Sequence, residues 1–200
     1  ISQVVAEPFK SYGISRRDAR RTLDEVGNDI AAAGEKLVQL ANQRAEVNME
    51  ALVAKIVVAR EDNDCKDVVD TMREGIYSEV VVGKGLEAVA SFCENRDDRA
   101  EAHRVMFSQT LGGIPLLLEV MREHQRSEEI ARVSFLAVWY LARNDDIGRM
   151  IGESGGIPLL LEMLEEHGER NAEVAKNGLV ALQNPVSYTH LRAHETQLHR

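Results

Sequence analysis

Aromatic residues and cysteines are scarce in this sequence, and both scarcities limit the possible folds. Aromatic residues make up 4% of the chain, so its 44% hydrophobic content is mostly leucine, valine, isoleucine and alanine. Such a composition favours helices packed on helices over a sandwich of sheets. The two cysteines, Cys65 and Cys93, cannot form a disulfide framework. We therefore expect a reduced intracellular setting, cytoplasmic or nuclear.

Long apolar runs and an excess of positive charge are also missing. No apolar run approaches the roughly 20 residues that a membrane span requires. The formal net charge of −9 argues against general binding to nucleic acids or anionic membranes. The chain begins at Ile1, without a methionine or a signal-like segment, so we expect a fragment of a longer protein.

One stretch of eight residues, Gly-Gly-Ile-Pro-Leu-Leu-Leu-Glu, fills 112–119 and recurs at 155–162, a shift of 43 residues. Its glycines permit the tight turn that ends a helix, and its proline suits the first turn of the next helix. A more divergent copy lies upstream at a shift of 49 residues, where residues 72–74 match residues 121–123. Three mostly helical copies at this period predict a helical repeat array.

These repeats resemble the armadillo repeat family, which joins Gly-Gly-Ile-Pro and a leucine-rich second helix to a third helix with regularly spaced alanines and leucines. Residues 129–142 and 173–184 match that third helix. The resemblance is specific over 98–184 and weaker over 64–97. It implies an all-α fold, a right-handed α-solenoid made as an armadillo-like superhelix of three-helix repeats, with N-terminal capping helices. It also implies protein binding.

The chain divides into four expected segments. A lead-in covers 1–14, N-terminal capping helices cover 15–60, and armadillo-like repeats cover 61–184, at about 61–97, 98–144 and 145–184. Within the repeats we predict helices over 67–74, 78–93, 98–108 and 145–153. The tail, 185–200, has no counterpart in the repeats and resembles translated sequencing-adapter read-through. We therefore expect the tail to be non-native.

An apolar seam at helical spacing precedes the repeats. Its members recur in steps of four and three: Ala19, Leu23, Val26, Ile30, Ala33, Leu37 and Leu40. One hypothesis is self-association as a coiled coil through 19–40. The other is a capping helix that packs on the first repeat. Gly27 and Gly34 each cost a free helix about 1 kcal/mol, which favours the capping helix.

No constellation of residues predicts catalysis, a cofactor or a metal site, and we expect a protein that is not an enzyme. The doubled glycines precede proline, whereas a phosphate-binding loop requires Gly-Lys-Ser/Thr. His124 and His167 occupy equivalent repeat positions, which indicates a role at a helix end. Cys93 corresponds to Ala142 of the next repeat, so we expect a core thiol.

The third helices predict the binding surface, because they line the concave side of a solenoid. In the clearest repeat we expect Ile130, Ser134, Ala137, Val138 and Leu141 to be buried. The predicted concave-face residues are Glu87, Ser91, Arg132, Leu136, Trp139, Tyr140, Arg143, Lys176, Val180 and Asn184.

The family's peptide-binding members carry a tryptophan and an asparagine at the positions of Leu136 and Tyr140. Only Asn184 matches that pattern. We therefore expect a protein-interaction scaffold or adaptor whose partner segment carries acidic and apolar residues. The alternatives are a regulatory repeat segment of a larger multidomain enzyme, such as a kinase or GTPase, and a transport-receptor-like peptide binder.

Overall fold

The computed structural model describes residues 16–27 and 29–183, and 83% of these residues are helical, with no strand among them. The predicted all-α class is therefore confirmed. The α-helices are α1 (Arg16–Glu25), α2 (Ile30–Glu61), α3 (Cys65–Glu74), α4 (Glu79–Cys93), α5 (Asp98–Val105), α6 (Gly113–Glu123), α7 (Glu128–Leu141), α8 (Asp145–Glu153), α9 (Gly156–His167) and α10 (172–183). A π-helical segment, Met106–Thr110, continues directly from α5. The predicted lead-in and the tail lie outside the described residues.

The chain forms two compact units, Ile1–Ala51 and Leu52–Arg200. In the first unit, the expectation that 19–40 form one apolar seam on a single helix face is wrong. Helix α1 ends at Glu25, and Gly27 adopts a left-handed φ of 65°. The break turns Ile30 to solvent, where it is 65% exposed. Ala19 packs instead with residues 37, 40 and 41 of α2. Of the seam, Ala19, Ala33 and Leu37 are buried, and self-association through 19–40 stays a prediction.

Most helices of the second unit begin at a polar side chain that satisfies a free backbone N–H of the first turn. The six capping residues are Asp64, Ser78, Asp97, Ser127, Asn144 and Asn171. In each case the side-chain oxygen accepts a hydrogen bond of 2.8–3.4 Å from the N–H three residues later. Ser78 and Ser127, the N-caps of α4 and α7, are matched positions of the predicted repeats.

The repeated glycine pair begins α6 and α9 in a different way. Gly112 and Gly155 adopt left-handed φ values of 61° and 82°, which non-glycine residues rarely adopt. The second glycine is needed for space, because a Cβ atom on Gly113 would lie 2.5 Å from the ring of Phe107. The repeated sequence therefore encodes a sharp turn directly before each leucine-rich helix.

The core of the second unit forms where the third helices of the predicted repeats meet. Helix α4 packs extensively against α7, and α7 in turn contacts α10, where a Cβ atom on Gly178 would lie 2.9 Å from Phe135 Cε2. Among the second helices, α6 packs against α9. Leu86, Phe135 and Leu117 are completely buried in these contacts.

Polar contacts recur between the same elements. Asn171, which precedes α10, donates a 2.6 Å hydrogen bond to Glu128 Oε1 in the first turn of α7. One repeat earlier, Ser127 donates to Glu79 Oε1 in the first turn of α4. The start of each third helix is therefore hydrogen-bonded to the start of the preceding one.

Candidate protein-binding face

Helix α7 has one buried side and one accessible side, as its pattern predicts. The residues expected in the core are completely buried: Ile130, Ser134, Ala137, Val138 and Leu141. On the other side, Arg132, Leu136, Trp139 and Arg143 are half-buried. We call these four residues and Tyr140 the α7 face. Tyr140 differs from the expectation, since it is only 9% exposed.

A stack of two aromatic rings under an arginine forms the C-terminal half of the α7 face. The rings of Trp139 and Tyr140 stack with centroids 4.9 Å apart and an interplanar angle of 20°. Arg143 Cζ lies 5.1 Å from the Trp139 centroid and 4.6 Å from the Tyr140 centroid. These distances are within the range of cation–π attraction. The stack covers Tyr140, which explains its burial.

The residue that holds this stack in place is Glu94, which follows α4. Its backbone carbonyl accepts a hydrogen bond from Arg143 Nη1, and its carboxylate lies 3.5 Å from the Tyr140 hydroxyl. Burial lowers the pKa of Arg143, and the charge of Arg96 lowers it further. An arginine remains cationic at neutral pH despite such a shift. The stack therefore combines a fixed positive charge with apolar surface.

Arg132, at the other end of the α7 face, already has acidic partners. Its guanidinium donates to the Glu129 carboxylate over 2.9 and 2.6 Å, and Nη2 lies 3.7 Å from Glu87 Oε1. The bond to Glu129 is the main cause of the raised pKa of Arg132, to which the charges of Glu173 and Glu87 add. Most of this positive charge is therefore compensated within the chain.

The other predicted concave-face residues lie on α4 and α10. Glu87 accepts a 2.8 Å hydrogen bond from Lys84, and Ser91 Oγ accepts one of 3.4 Å from Arg60. On α10, Lys176 is exposed and Val180 is half-buried.

Asn184 lies outside the described residues. The structure thus brings the predicted residues together in two groups. One group contains Glu87 and Arg132, and the other contains Trp139, Tyr140 and Arg143. In the described part of the chain, no hydrogen bond, ion pair or ring contact joins either group to Ser91, Lys176 or Val180.

Sequence reasoning missed Arg104, a buried residue that hydrogen-bonds to the backbone of the aromatic stack. This side chain is 3% exposed, and its Nε donates a 3.0 Å hydrogen bond to the backbone carbonyl of Tyr140. Its Nη2 donates to the carbonyl of Cys93 over 2.7 Å, and its Nη1 pairs with Glu101 at 2.7 Å. The spacing of Glu101 and Arg104 indicates only a surface ion pair, so the sequence carried no signal for this role.

Arg104 lies between the α7 face and a depression of mixed charge. Three arginines and four carboxylates line this depression: Arg96, Arg104, Arg143, Asp97, Asp98, Glu101 and Asp145. Such a lining does not favour a ligand of one charge sign. The adjoining aromatic stack differs from this lining, because it combines apolar rings with one cation.

The described residues place no three or more His, Cys, Asp or Glu side chains where they could hold a metal ion. Burial raises the pKa of the Cys65 and Cys93 thiols to about 12, so neither thiol is activated as a nucleophile. In the described part of the chain, no helix has the length and apolar character needed to cross a membrane.

Comparisons with protein-family models, curated proteins and solved structures gave no match to this chain.

Proposed function

We propose that this chain is a protein-interaction scaffold that binds another protein along the α7 face and the adjoining sides of α4 and α10. We also propose that its second unit is an armadillo-like repeat array with a right-handed superhelical course. The repeated glycine turns and the succession of α4, α7 and α10 support that arrangement.

The observation that carries the proposed function is the stack of Trp139, Tyr140 and Arg143. Tryptophan, tyrosine and arginine are enriched at binding hot spots, since they bury large areas while keeping directional donors. Here the stack is fixed by Glu94 and by the buried Arg104, so binding orders few additional side chains. A preorganised site of this kind loses less conformational entropy on binding.

The chemistry of the face indicates the kind of partner. Leu136 and Trp139 offer accessible apolar surface, and Arg143 adds a cation that lies over the rings of Trp139 and Tyr140. A partner segment with an apolar side chain next to an acidic one matches this surface. Arg132 contributes less to the match, because Glu129 and Glu87 already surround it.

Affinity capture with paired variants tests the proposal. The full chain and its Trp139→Ala/Arg143→Ala variant are used as baits in the same cell extract, and bound proteins are quantified. We expect at least one protein to be retained by the parent and lost from the double variant. Tyr140→Ala is a poor probe, because Tyr140 is 9% exposed and its loss would alter packing.

Arg149→Ala is the matched control, since Arg149 is an exposed arginine on α8 whose partner is Asp146 at 2.7 Å. This variant should retain the same proteins as the parent. Circular dichroism of all three baits checks that they are equally helical. If the parent and the double variant retain identical sets of proteins, the α7 face is not the interface.

A further inference from the structure

A buried histidine joins α5 to the turn between α2 and α3. His103 is 7% exposed, and its Nε2 lies 2.9 Å from the side-chain amide of Asn63 in that turn. Nη2 and Nε of Arg99 lie 2.9 and 3.2 Å from the same amide atom. A guanidinium can only donate hydrogen bonds, so this atom is the amide oxygen of Asn63. His103 Nε2 therefore carries a hydrogen and donates it to Asn63.

The other ring nitrogen of His103 is the atom that must take up an added proton. With Nε2 already protonated, the neutral imidazole can bind a proton only at Nδ1. Nδ1 is buried and has no hydrogen-bond partner among the described residues. Protonation in place would bury an N–H donor without an acceptor, and such a group loses its hydration without compensation.

The groups around His103 do not compensate the added charge. Arg99 is a cation that already shares the Asn63 oxygen with His103, and Phe92 of α4 stacks on the imidazole without a charge. Burial and the charge of Arg99 lower the pKa of His103 by more than Asn63 and Asp97 raise it. The imidazolium therefore favours a conformation in which His103 reaches water.

The turn that carries Asn63 has an unusual backbone conformation. Asn63 adopts a left-handed φ of 60°, which asparagine tolerates better than most residues. The carboxylate of the next residue, Asp64, is engaged at the start of α3, where it accepts a 3.0 Å hydrogen bond from the Asp67 N–H. The side chain of Asn63 thus connects the turn to α5, and release of His103 breaks this connection.

Helix α5 also supports the aromatic stack, through the residue next to His103. Arg104 Nε donates to the carbonyl of Tyr140 over 3.0 Å, and Nη2 donates to the carbonyl of Cys93 over 2.7 Å. Because α5 has only eight residues, a displacement that exposes His103 also displaces Arg104. The backbone beside Trp139 then loses a buried hydrogen-bond donor.

From these contacts we propose that His103, Asn63 and Arg99 form an acid-sensitive latch. The latch is closed while His103 is neutral and opens when His103 takes up a proton, and its opening loosens the packing of Trp139 through Arg104. Each pH unit below about 6.5 raises the ratio of open to closed chains by up to about tenfold, because the open state binds the proton more tightly. This inference concerns the conformation of the chain and does not depend on a partner at the α7 face.

Trp139 is the only tryptophan of the chain, so its fluorescence measures the effect of the latch on the α7 face. The fluorescence of the full chain is quenched with acrylamide, an uncharged reagent, between pH 8 and pH 5. We expect the quenching constant of the parent to rise at least about twofold below pH 6.5, as Trp139 gains exposure to solvent. Circular dichroism at each pH should show unchanged helicity.

Asn63→Asp is the decisive variant, because a carboxylate at this position compensates the proton on His103 and still accepts hydrogen bonds from Arg99. Its quenching constant should stay near the pH 8 value down to pH 5. His103→Gln, which lacks the titrating group, should behave in the same way. His124→Gln is the control, since it retains His103 and should show the pH dependence of the parent.

Three results would overturn the inference. The quenching constant of the parent could be independent of pH, or it could rise equally in Asn63→Asp. Helicity could instead fall together with the rise in quenching, which would identify global unfolding rather than the opening of a latch.

Discussion

His124 Nε2 lies 2.7 Å from the backbone carbonyl oxygen of Ile76, and the two residues belong to successive predicted repeats. His124 follows the last residue of α6, and Ile76 lies in the turn before α4. The next repeat reproduces the contact, with His167 Nε2 2.8 Å from the carbonyl oxygen of Gln125. The predicted helix-end position of both histidines is confirmed, and each histidine hydrogen-bonds to the preceding repeat.

This contact predicts a measurable loss of stability in His124→Ala. Removal of the imidazole leaves the Ile76 carbonyl without this partner, which should lower the free energy of unfolding by about 1 kcal/mol. Urea denaturation followed by circular dichroism measures the change. Glu123→Ala, at the adjacent exposed position, is the control and should differ little from the parent. Equal stability of His124→Ala and Glu123→Ala would show that the contact contributes nothing.

A second prediction concerns Ser134, whose hydroxyl is completely buried on α7 without a hydrogen-bond partner. Ser134→Ala removes this unsatisfied polar group and introduces a better helix former. We expect the variant to gain about 1 kcal/mol of stability and roughly 2–4 °C in melting temperature. The reverse change at a neighbouring buried position, Ala137→Ser, should lower stability. A lower melting temperature for Ser134→Ala would mean that its hydroxyl is satisfied in solution.

A third prediction concerns His103, which is 7% exposed and stacks on Phe92 with ring centroids 5.2 Å apart. Burial lowers the pKa of His103 below 6.5, Arg99 lowers it further, and Asn63 and Asp97 raise it. The unfolded chain therefore binds the proton at a higher pH than the folded chain does. The contribution of His103 to stability is fully present above pH 6.5 and is lost as the pH falls.

The measurement compares urea midpoints of the parent and His103→Gln between pH 8 and pH 5. Glutamine keeps a polar group near Asn63, which lies 2.9 Å from His103 Nε2, but it does not titrate. The difference between the two midpoints should be constant above pH 7. Below pH 6.5, the midpoint of the parent should fall relative to that of His103→Gln. All other histidines are common to both proteins, so parallel midpoint curves would contradict the assignment to His103.

Much of the fold could be predicted because its local signals are strong. The predicted helix over 78–93 corresponds to α4, Glu79–Cys93, with Ser78 as its N-cap. The predicted helix over 145–153 coincides with α8. Such helices combine a capping side chain with an apolar stripe, and both signals are contained within a few residues.

The parts that could not be predicted depend on contacts between distant residues. Tyr140 is at a position that helical spacing assigns to the accessible side, but the stack with Trp139 and Arg143 buries it. The break at Gly27 changed which residues of the apolar seam are buried, since propensity alone does not decide whether a glycine ends a helix. The burial of Arg104 requires carbonyl groups from the ends of α4 and α7, which only the folded chain brings together.

The fourth prediction concerns the proposed partner-binding face and the energy of its aromatic stack. Trp139→Ala removes the half-buried ring and the support for Arg143, and Arg143→Ala removes the cation. Hot-spot truncations of this kind cost on the order of 1–3 kcal/mol in binding free energy. Arg132→Ala should cost less, because Glu129 and Glu87 compensate its charge.

Isothermal titration of the purified partner with the full chain and its Trp139→Ala, Arg143→Ala and Arg149→Ala variants tests the central claim most directly. The account predicts that Trp139→Ala and Arg143→Ala each raise the Kd by roughly 5- to 150-fold, while Arg149→Ala binds like the parent. Raised salt should weaken the parent more than it weakens Arg143→Ala, since the parent retains the cation. Unchanged Kd values for both Trp139→Ala and Arg143→Ala would contradict the claim that this face binds the partner.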